Sequence, residues 1–195
     1  VSRGLGDVYK RQQESFQRLQ RDNLWWKLHI LTTGDDVMKK SNWKVYAFWI
    51  VLAEAVGALS GWLTRKGVKI YNATVEQPPL SPPSIVFPIV WGILFALMGI
   101  GAARIYLAPA SDARSRSLLL FLVQLVFNFF WSIIFFNLQA FGFAFLWLIA
   151  LWVLILLIIL SFRKVDNPAA WLQIPYLLWV TFAAYLNFGV WLLNR

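Results

Sequence analysis

The feature that most constrains this chain is a run of 46 residues, from Ser117 to Phe162, that contains no charged side chain. An ionised group costs about 2.5–3.5 kcal/mol at the centre of a membrane helix, so charged residues mark the segments that lie in water. A spanning helix needs about 20 apolar residues, so this run has room for two helices joined by a tight turn. We place that turn at Asn137–Gln139.

The charges define three more apolar stretches, which are bounded by Lys44 and Arg65, by Glu76 and Arg104, and by Asp166 and Arg195. Membrane strands alternate apolar and polar residues over about ten positions, whereas residues 151–157 are apolar on every face. The predicted fold is therefore an all-α membrane protein, a five-transmembrane-helix bundle. The predicted spans are 43–63, 84–106, 117–136, 141–162 and 170–193.

An odd number of spans puts the two termini on opposite sides of the bilayer, and the positive-inside rule then predicts the orientation. Eight Lys and Arg residues close to the spans lie on the side of the N-terminus: Lys39, Lys40, Lys44, Arg104, Arg114, Arg116, Arg163 and Lys164. Four lie on the other side: Arg65, Lys66, Lys69 and Arg195. We predict a multi-pass protein of a bacterial cell membrane, with a cytoplasmic N-terminus and an outer first loop around 64–83.

Residues 1–37 precede Met38, which is followed by Lys39, Lys40 and the first apolar span. We interpret 1–37 as a non-native or disordered N-terminal extension and 38–195 as the five-helix membrane domain. The alternative is a native basic tail in which residues 24–31 form a short helix at the membrane surface.

The composition excludes several classes of function. The chain has 59% hydrophobic and 14% charged residues, whereas about a quarter of the residues in a soluble domain are charged. Its net charge is +9, but the basic residues lie in short runs between the spans. The chain is therefore unsuited to binding nucleic acid. It has no Cys and one His, which excludes a thiolate nucleophile and a multi-histidine metal site. We expect the lipid bilayer as a partner, and neither a metal site nor a nucleic-acid partner.

A proline-rich segment precedes the second span. Proline fixes φ and pushes the preceding residue into an extended conformation, so this segment is a stiff loop that ends where the helix begins. Its prolines are Pro78, Pro79, Pro82 and Pro83. The loop could act as a lid at a helix entrance, or it could be a plain connector.

Polar and aromatic residues recur at helical spacing in three spans, and each set shares one helix face. The sets are Trp91, Phe95 and Met98 in the second span; Gln124, Asn128, Trp131 and Phe135 in the third; and Tyr176, Trp179, Ala183 and Asn187 in the fifth. Carboxamides in lipid turn inward and find partners, so we expect these faces to line an aromatic interior. Two other interpretations remain open: the carboxamides hold helices together, and some indoles anchor span ends at the interface.

Gly57 and Gly61 form a Gly-x-x-x-Gly pair in the first span, which allows close backbone approach in a homodimer or within the monomer. Glu54 is the one acidic residue inside a predicted span. An ionisable group in a membrane is by default a functional candidate, although Glu54 could also form a hydrogen bond between helices.

Three separated motifs together resemble the TspO/translocator protein family of tryptophan-rich sensory proteins. They are Pro78–Pro83 with Phe87–Trp91, Met98 and Gly99; Gln124 and Leu125 with Asn128 and Trp131; and Pro175–Trp179 with Ala183, Leu186 and Asn187. The resemblance covers about 43–194. It implies a five-helix bundle, commonly dimeric, whose cavity opens beneath the first loop and binds protoporphyrin or haem, and in animal members cholesterol and synthetic drugs.

The resemblance implies roles for single residues. Trp91 and Trp179 match cavity tryptophans associated with porphyrin contact and, in some bacterial members, with light-dependent porphyrin breakdown. Ala183 matches a small cavity residue, and Asn187 matches a cavity or packing residue. In the first loop Tyr71 stands where many members have Trp, and Gln77 replaces a frequent Lys. The cholesterol motif is not matched, because Phe188 stands at its Tyr position and the next basic residue is Arg195, so cholesterol binding is not predicted.

The leading functional hypothesis is a porphyrin-binding protein that acts in sensing, regulation or transport and requires no cofactor. Its predicted ligand-binding residues are Trp91, Phe95, Met98, Gln124, Asn128, Trp131, Tyr176, Trp179, Ala183 and Asn187; its predicted lid consists of Tyr71, Pro78, Pro79, Pro82 and Pro83. Three alternatives remain: light-dependent porphyrin degradation through Trp91 and Trp179, a small proton-coupled drug exporter that uses Glu54, and a structural dimer held by Gly57 and Gly61.

Overall fold

The computed structural model describes Arg18 and residues 42–195, and residues 45–195 form one compact unit. Within the described residues there are helices and no strand, and five helical segments are long and apolar enough to cross a membrane. The predicted fold class is therefore confirmed. The interpretation of residues 1–37 and of Met38 lies outside the described residues.

The five segments correspond to six named helices. They are α1 (Asn42–Thr74), α2 (Val86–Leu107), α3 (Asp112–Ser132, continued by a π-helical turn at Ile133–Asn137), α4 (Phe141–Arg163), α5 (Asn167–Trp171) and α6 (Ile174–Leu193). The turn between α3 and α4 occupies Leu138–Ala140, close to its predicted place, and Gln139 adopts a positive φ of 50° there.

The first loop begins later than predicted, because residues 64–74 of the predicted loop are helical. The predicted span ended at residue 63, whereas α1 continues to Thr74. The predicted end of the span came from the cost of Arg65, Lys66 and Lys69 in hydrocarbon. Lys and Arg are also good helix formers, so the helix continues past them. As a consequence Tyr71, which was predicted to belong to the lid loop, lies in the last turn of α1.

The fifth predicted span is a broken helix. Pro168 and Pro175 stand in the first turns of α5 and α6, where the missing N–H of proline costs no hydrogen bond. Leu172 and Gln173 form the break between the two helices. The Gln173 side chain is buried against Gly101 of α2, where an added Cβ would clash with Gln173 Nε2. Because Gly101 has no side chain, the Gln173 side chain at the break can pack against α2.

An ion pair connects two segments at the end of the bundle where α2 meets α5. Arg104 of α2 donates from Nε to Asp166 Oδ2 at 2.8 Å and from Nη2 to Asp166 Oδ1 at 3.2 Å. Asp166 immediately precedes α5, so this bidentate pair joins the last turn of α2 to the entrance of the final span. In the sequence analysis Arg104 marked only the end of an apolar stretch and counted as one of the basic residues near the spans.

Candidate ligand-binding site

Four of the predicted site residues form one buried hydrogen-bonded network. Tyr176 Oη on α6 donates to Gln124 Oε1 on α3 at 2.9 Å, and Asn128 Nδ2 donates to Tyr176 Oη at 2.8 Å. Gln124 Nε2 also lies 3.8 Å from the sulfur of Met98 on α2. All four side chains are at most 4% exposed. The network therefore joins α2, α3 and α6 in the interior of the bundle.

Trp131 and Asn187, two further predicted residues, form a second hydrogen-bonded group in the interior. Trp131 Nε1 donates to Asn187 Oδ1 at 3.3 Å, and Asn187 Nδ2 donates to the carbonyl oxygen of Phe141 at 2.9 Å. These bonds tie α3, α6 and the start of α4 together. The carboxamides of Gln124, Asn128 and Asn187 are thus satisfied within the protein, as expected for side chains that hold helices together.

Aromatic rings fill the space around these networks. The Trp91 ring lies 5.5 Å from the Phe95 ring and 6.1 Å from the Tyr176 ring, and Trp131 stacks on Phe135 at 5.3 Å. Tyr71 lies against Phe135, Phe136 and Phe141, with ring centroids 5.4, 5.4 and 6.5 Å away. Most of the predicted ligand-binding residues therefore pack on one another in the bundle interior.

An open groove of about 510 Å³ lies between α2 and α6. Its lining is almost wholly apolar and consists of Val90, Ile93, Leu94, Leu97, Pro175, Leu178, Trp179 and Phe182. Of the ten predicted ligand-binding residues, Trp179 alone lines this groove. The other seven lining residues were missed, because their apolar side chains carry no signal that separates a groove from a lipid-facing surface.

Trp179 is the aromatic centre of the groove. Its ring centroid lies 5.9 Å from that of Phe87 and 5.7 Å from that of Phe182. Its Nε1 is buried and has no acceptor among the described residues, a property that it shares with Trp49 Nε1. A buried donor without a partner is costly, so Trp179 Nε1 carries a local free-energy cost in this structure.

The first loop contacts the C-terminal part of α6 through hydrogen bonds and packing. Tyr185 Oη donates to the carbonyl oxygen of Pro79 at 3.0 Å, and buried Pro78 packs against Gly189. Asn194, just after α6, accepts from Glu76 N at 3.0 Å and donates to Glu76 O at 2.9 Å. The sequence analysis missed Tyr185 and Asn194, since their partners are backbone atoms of a distant loop.

The predicted lid prolines differ in their positions within this loop. Pro78 is buried, Pro79 is exposed, and Pro82 and Pro83 lie just before α2, where Pro83 O accepts from Val86 N at 2.9 Å. Leu80 adopts a φ of 67°, in the left-handed region that is costly for a residue with a Cβ. The short loop is therefore held in one conformation by its prolines and by α6.

The two glycines of α1 have different surroundings. A Cβ added at Gly57 would overlap the Phe95 ring of α2, whereas one added at Gly61 would meet nothing within 4 Å. Gly57 therefore packs within the monomer, and Gly61 faces outward. Glu54 is partly exposed on α1, and no group of three His, Cys, Asp or Glu side chains that could hold a metal occurs among the described residues.

Comparison with known proteins assigns the family. The model of the TspO/MBR family matches residues 49–192. The chain is 38% identical to the tryptophan-rich protein TspO of Chlorobaculum tepidum over 149 residues, which are 76% of this chain and 94% of that relative. It is 33% identical to protein CrtK of Rhodobacter capsulatus, over 77% of this chain and 92% of that relative.

An animal relative is also similar. The translocator protein of Ovis aries is 32% identical over 155 residues, which are 77% of this chain and 91% of that protein. The family match covers all five apolar helical segments in whole or in large part. This chain is a multi-pass membrane protein that belongs to the TspO/MBR family.

Proposed function

We propose that this protein binds tetrapyrroles in the membrane and acts in sensing or translocation; the name of one relative, the translocator protein, suggests translocation for that relative. The observation that carries the proposal is the apolar groove between α2 and α6 with Trp179 and Phe182 on its α6 side. The groove has a volume of about 510 Å³ and is open to the exterior of the bundle. Flat, largely hydrocarbon ligands stack on aromatic faces of this kind.

Binding in this groove relies on stacking and hydrocarbon contact. An iron-containing ring would gain no axial ligand from the groove, because its lining holds no His, Cys, Met or Tyr side chain. The described spans contain no His or Cys. The residues present therefore suit a tetrapyrrole held by its ring, with or without a metal at its centre.

The binding experiment is a titration of protoporphyrin into purified protein in lipid nanodiscs, followed by the Soret absorbance. Replacing Trp179 by Ala is expected to weaken binding about tenfold, since an aromatic pair contributes about 0.5–1.5 kcal/mol beyond its buried area. Trp171→Ala is the matched control, because Trp171 is 71% exposed and lies outside the groove. The absence of saturable binding by the unmodified protein would contradict the proposal.

Photochemical breakdown of the bound ring is a second candidate function. Trp179 lies at the groove, and the Trp91 ring is partly exposed on the neighbouring helix, so an indole stands within reach of an excited porphyrin. Illumination of the complex should then bleach the Soret band, and Trp179→Phe should slow that bleaching.

The orientation belongs to the same proposal. The excess of Lys and Arg near the ends of the spans on the N-terminal side supports a cytoplasmic N-terminus in a bacterial cell membrane. Single cysteines placed at Leu80 and Ala110 should then differ in labelling by an impermeant reagent, with Leu80 labelled from outside the cell. The opposite pattern would reverse the orientation.

A further inference from the structure

We infer that the end of the bundle where α3 begins and α4 ends binds the headgroup of an anionic phospholipid. The cations of this basic surface are Arg116 in α3, Arg163 at the end of α4, and Lys164, which follows it; all three are exposed. Because they come from two helices, the basic surface is shared by α3 and α4. It lies apart from the groove, whose lining residues belong to α2 and α6.

A hydrogen bond between two serines fixes the level at which these cations stand. The hydroxyl oxygens of Ser117 and Ser161 lie 2.7 Å apart, and Ser117 is fully buried. A short turn joins α3 to α4, so the two helices are antiparallel, and the chain before Ser117 and the chain after Ser161 run toward the same end of the bundle. Arg116 stands one residue beyond its serine, and Arg163 and Lys164 stand two and three residues beyond theirs. These offsets amount to at most about 5 Å along the helix axes, so the three cations lie at one level.

Each cation of the basic surface shares a helix face with an exposed leucine. Leu119 follows Arg116 by three residues, and Leu160 precedes Arg163 by three and Lys164 by four. Residues at these spacings are neighbours on a helix surface. Leu119 is 61% exposed and Leu160 is 50% exposed, and both lie deeper in the bundle than the cations. A phospholipid has the same order of polarity, with its phosphate at the membrane surface and its acyl chains deeper, so the basic surface matches both parts of the lipid.

The cations of the basic surface have no acidic partner in the described part of the chain. Only one ion pair occurs there, and it joins Arg104 to Asp166. Asp112, in the first turn of α3, is the remaining acid near this end and forms no ion pair with a described residue. Arg114 lies over the ring of Tyr106, 5.0 Å from its centroid. A phosphate group supplies the missing counter-charge, because a guanidinium binds phosphate through paired hydrogen bonds and an ammonium binds it as a point charge. Basic pockets between membrane helices bind anionic headgroups in this way.

The experiment counts the lipids that the protein retains when it is released from detergent micelles in native mass spectrometry. The micelles contain equal amounts of anionic phosphatidylglycerol and zwitterionic phosphatidylcholine with the same acyl chains. We expect the unmodified protein to retain phosphatidylglycerol at least about tenfold over phosphatidylcholine, since each cation near a membrane surface contributes about a fivefold preference. Equal retention of the two lipids would overturn the inference.

Two double variants of equal charge test the location. Arg163→Gln with Lys164→Gln removes two cations of the basic surface, and Lys66→Gln with Lys69→Gln removes two exposed cations near the other end of the bundle. We expect the first double variant to lower the preference for phosphatidylglycerol at least about fivefold and the second to leave it within about twofold. An unchanged preference in the first, or an equal loss in both, would overturn the inference.

A single variant separates lipid binding from helix stability. Arg163 and Lys164 stand where cations stabilise the C-terminal end of a helix, whereas Arg116 lies near the N-terminal end of α3 and has no such role. Arg116→Gln should lower the preference for phosphatidylglycerol at least about twofold, with an unchanged melting temperature in phosphatidylcholine alone. An unchanged preference would overturn a binding surface shared by two helices.

Inorganic phosphate tests whether the ligand is a lipid. Free phosphate carries the charge of a headgroup but has no acyl chain to contact Leu119 and Leu160, so we expect it not to displace retained phosphatidylglycerol. Displacement by phosphate at concentrations comparable to those of the lipid would overturn the assignment to a phospholipid.

Discussion

The interior of the bundle and the groove between α2 and α6 lie side by side but differ in chemistry. In the interior, Gln124, Asn128, Tyr176 and Asn187 are buried and hydrogen-bonded within the protein. The groove is open and has almost no polar surface. The polar residues within the predicted spans therefore determine which helices pack together. The open groove, in contrast, is lined by residues that are almost all apolar in the sequence.

This difference separates two kinds of tryptophan. Trp91 packs on Phe95 and Tyr176 at the edge of the interior, whereas Trp179 lines the groove. The resemblance to the family had given both residues the same role. Substitutions in the two regions should accordingly have different consequences, since interior changes alter stability and groove changes alter ligand affinity.

The largest expected effect comes from filling the inward side of α1. Gly57→Leu forces a side chain into the space of the Phe95 ring and should lower the free energy of unfolding by about 3 kcal/mol. Thermal unfolding in detergent micelles measures this loss. Gly61→Leu is the matched control and should change stability by less than about 0.5 kcal/mol, because Gly61 faces open space. A smaller oligomer in Gly61→Leu than in the unmodified protein would show instead that this face contacts a second copy.

Breaking the interior network should have the next largest effect. Tyr176→Phe removes the hydroxyl that joins Gln124 and Asn128 and should cost about 2 kcal/mol of stability, since two buried groups lose a partner. Protoporphyrin affinity should stay within about twofold if the ligand occupies the groove. A large loss of affinity at unchanged stability would place the ligand in the interior and would remove the distinction between the two regions.

The smallest expected effect concerns the first loop. Tyr185→Phe removes one hydrogen bond to Pro79 O and should lower stability by about 1 kcal/mol or less. If the loop controls access to the site, association and dissociation of protoporphyrin in stopped-flow experiments should both become faster, with the equilibrium affinity little changed. Rates equal to those of the unmodified protein would favour the plain-connector interpretation of the loop.

The five helices and their inward faces could be predicted because each depends on the free-energy cost of placing a charged or polar side chain in hydrocarbon. A charge in hydrocarbon is expensive wherever it occurs, and a carboxamide such as Asn128 must find a partner. The end of α1 could not be predicted from that cost, because Lys66 and Lys69 limit the membrane span and at the same time favour a helix. The groove was missed because Ile93 and Leu97 have the same hydropathy whether they face lipid or a ligand.

The break at Leu172–Gln173 gives the final span a joint. On the N-terminal side of the joint, α5 is held by the ion pair of Arg104 with Asp166 and by the contact of Gln173 with Gly101. On the C-terminal side of the joint, α6 forms one wall of the groove, beginning at Pro175. A small tilt of α6 about this joint would change the width of the groove and leave the end of the bundle that holds the Arg104–Asp166 ion pair in place.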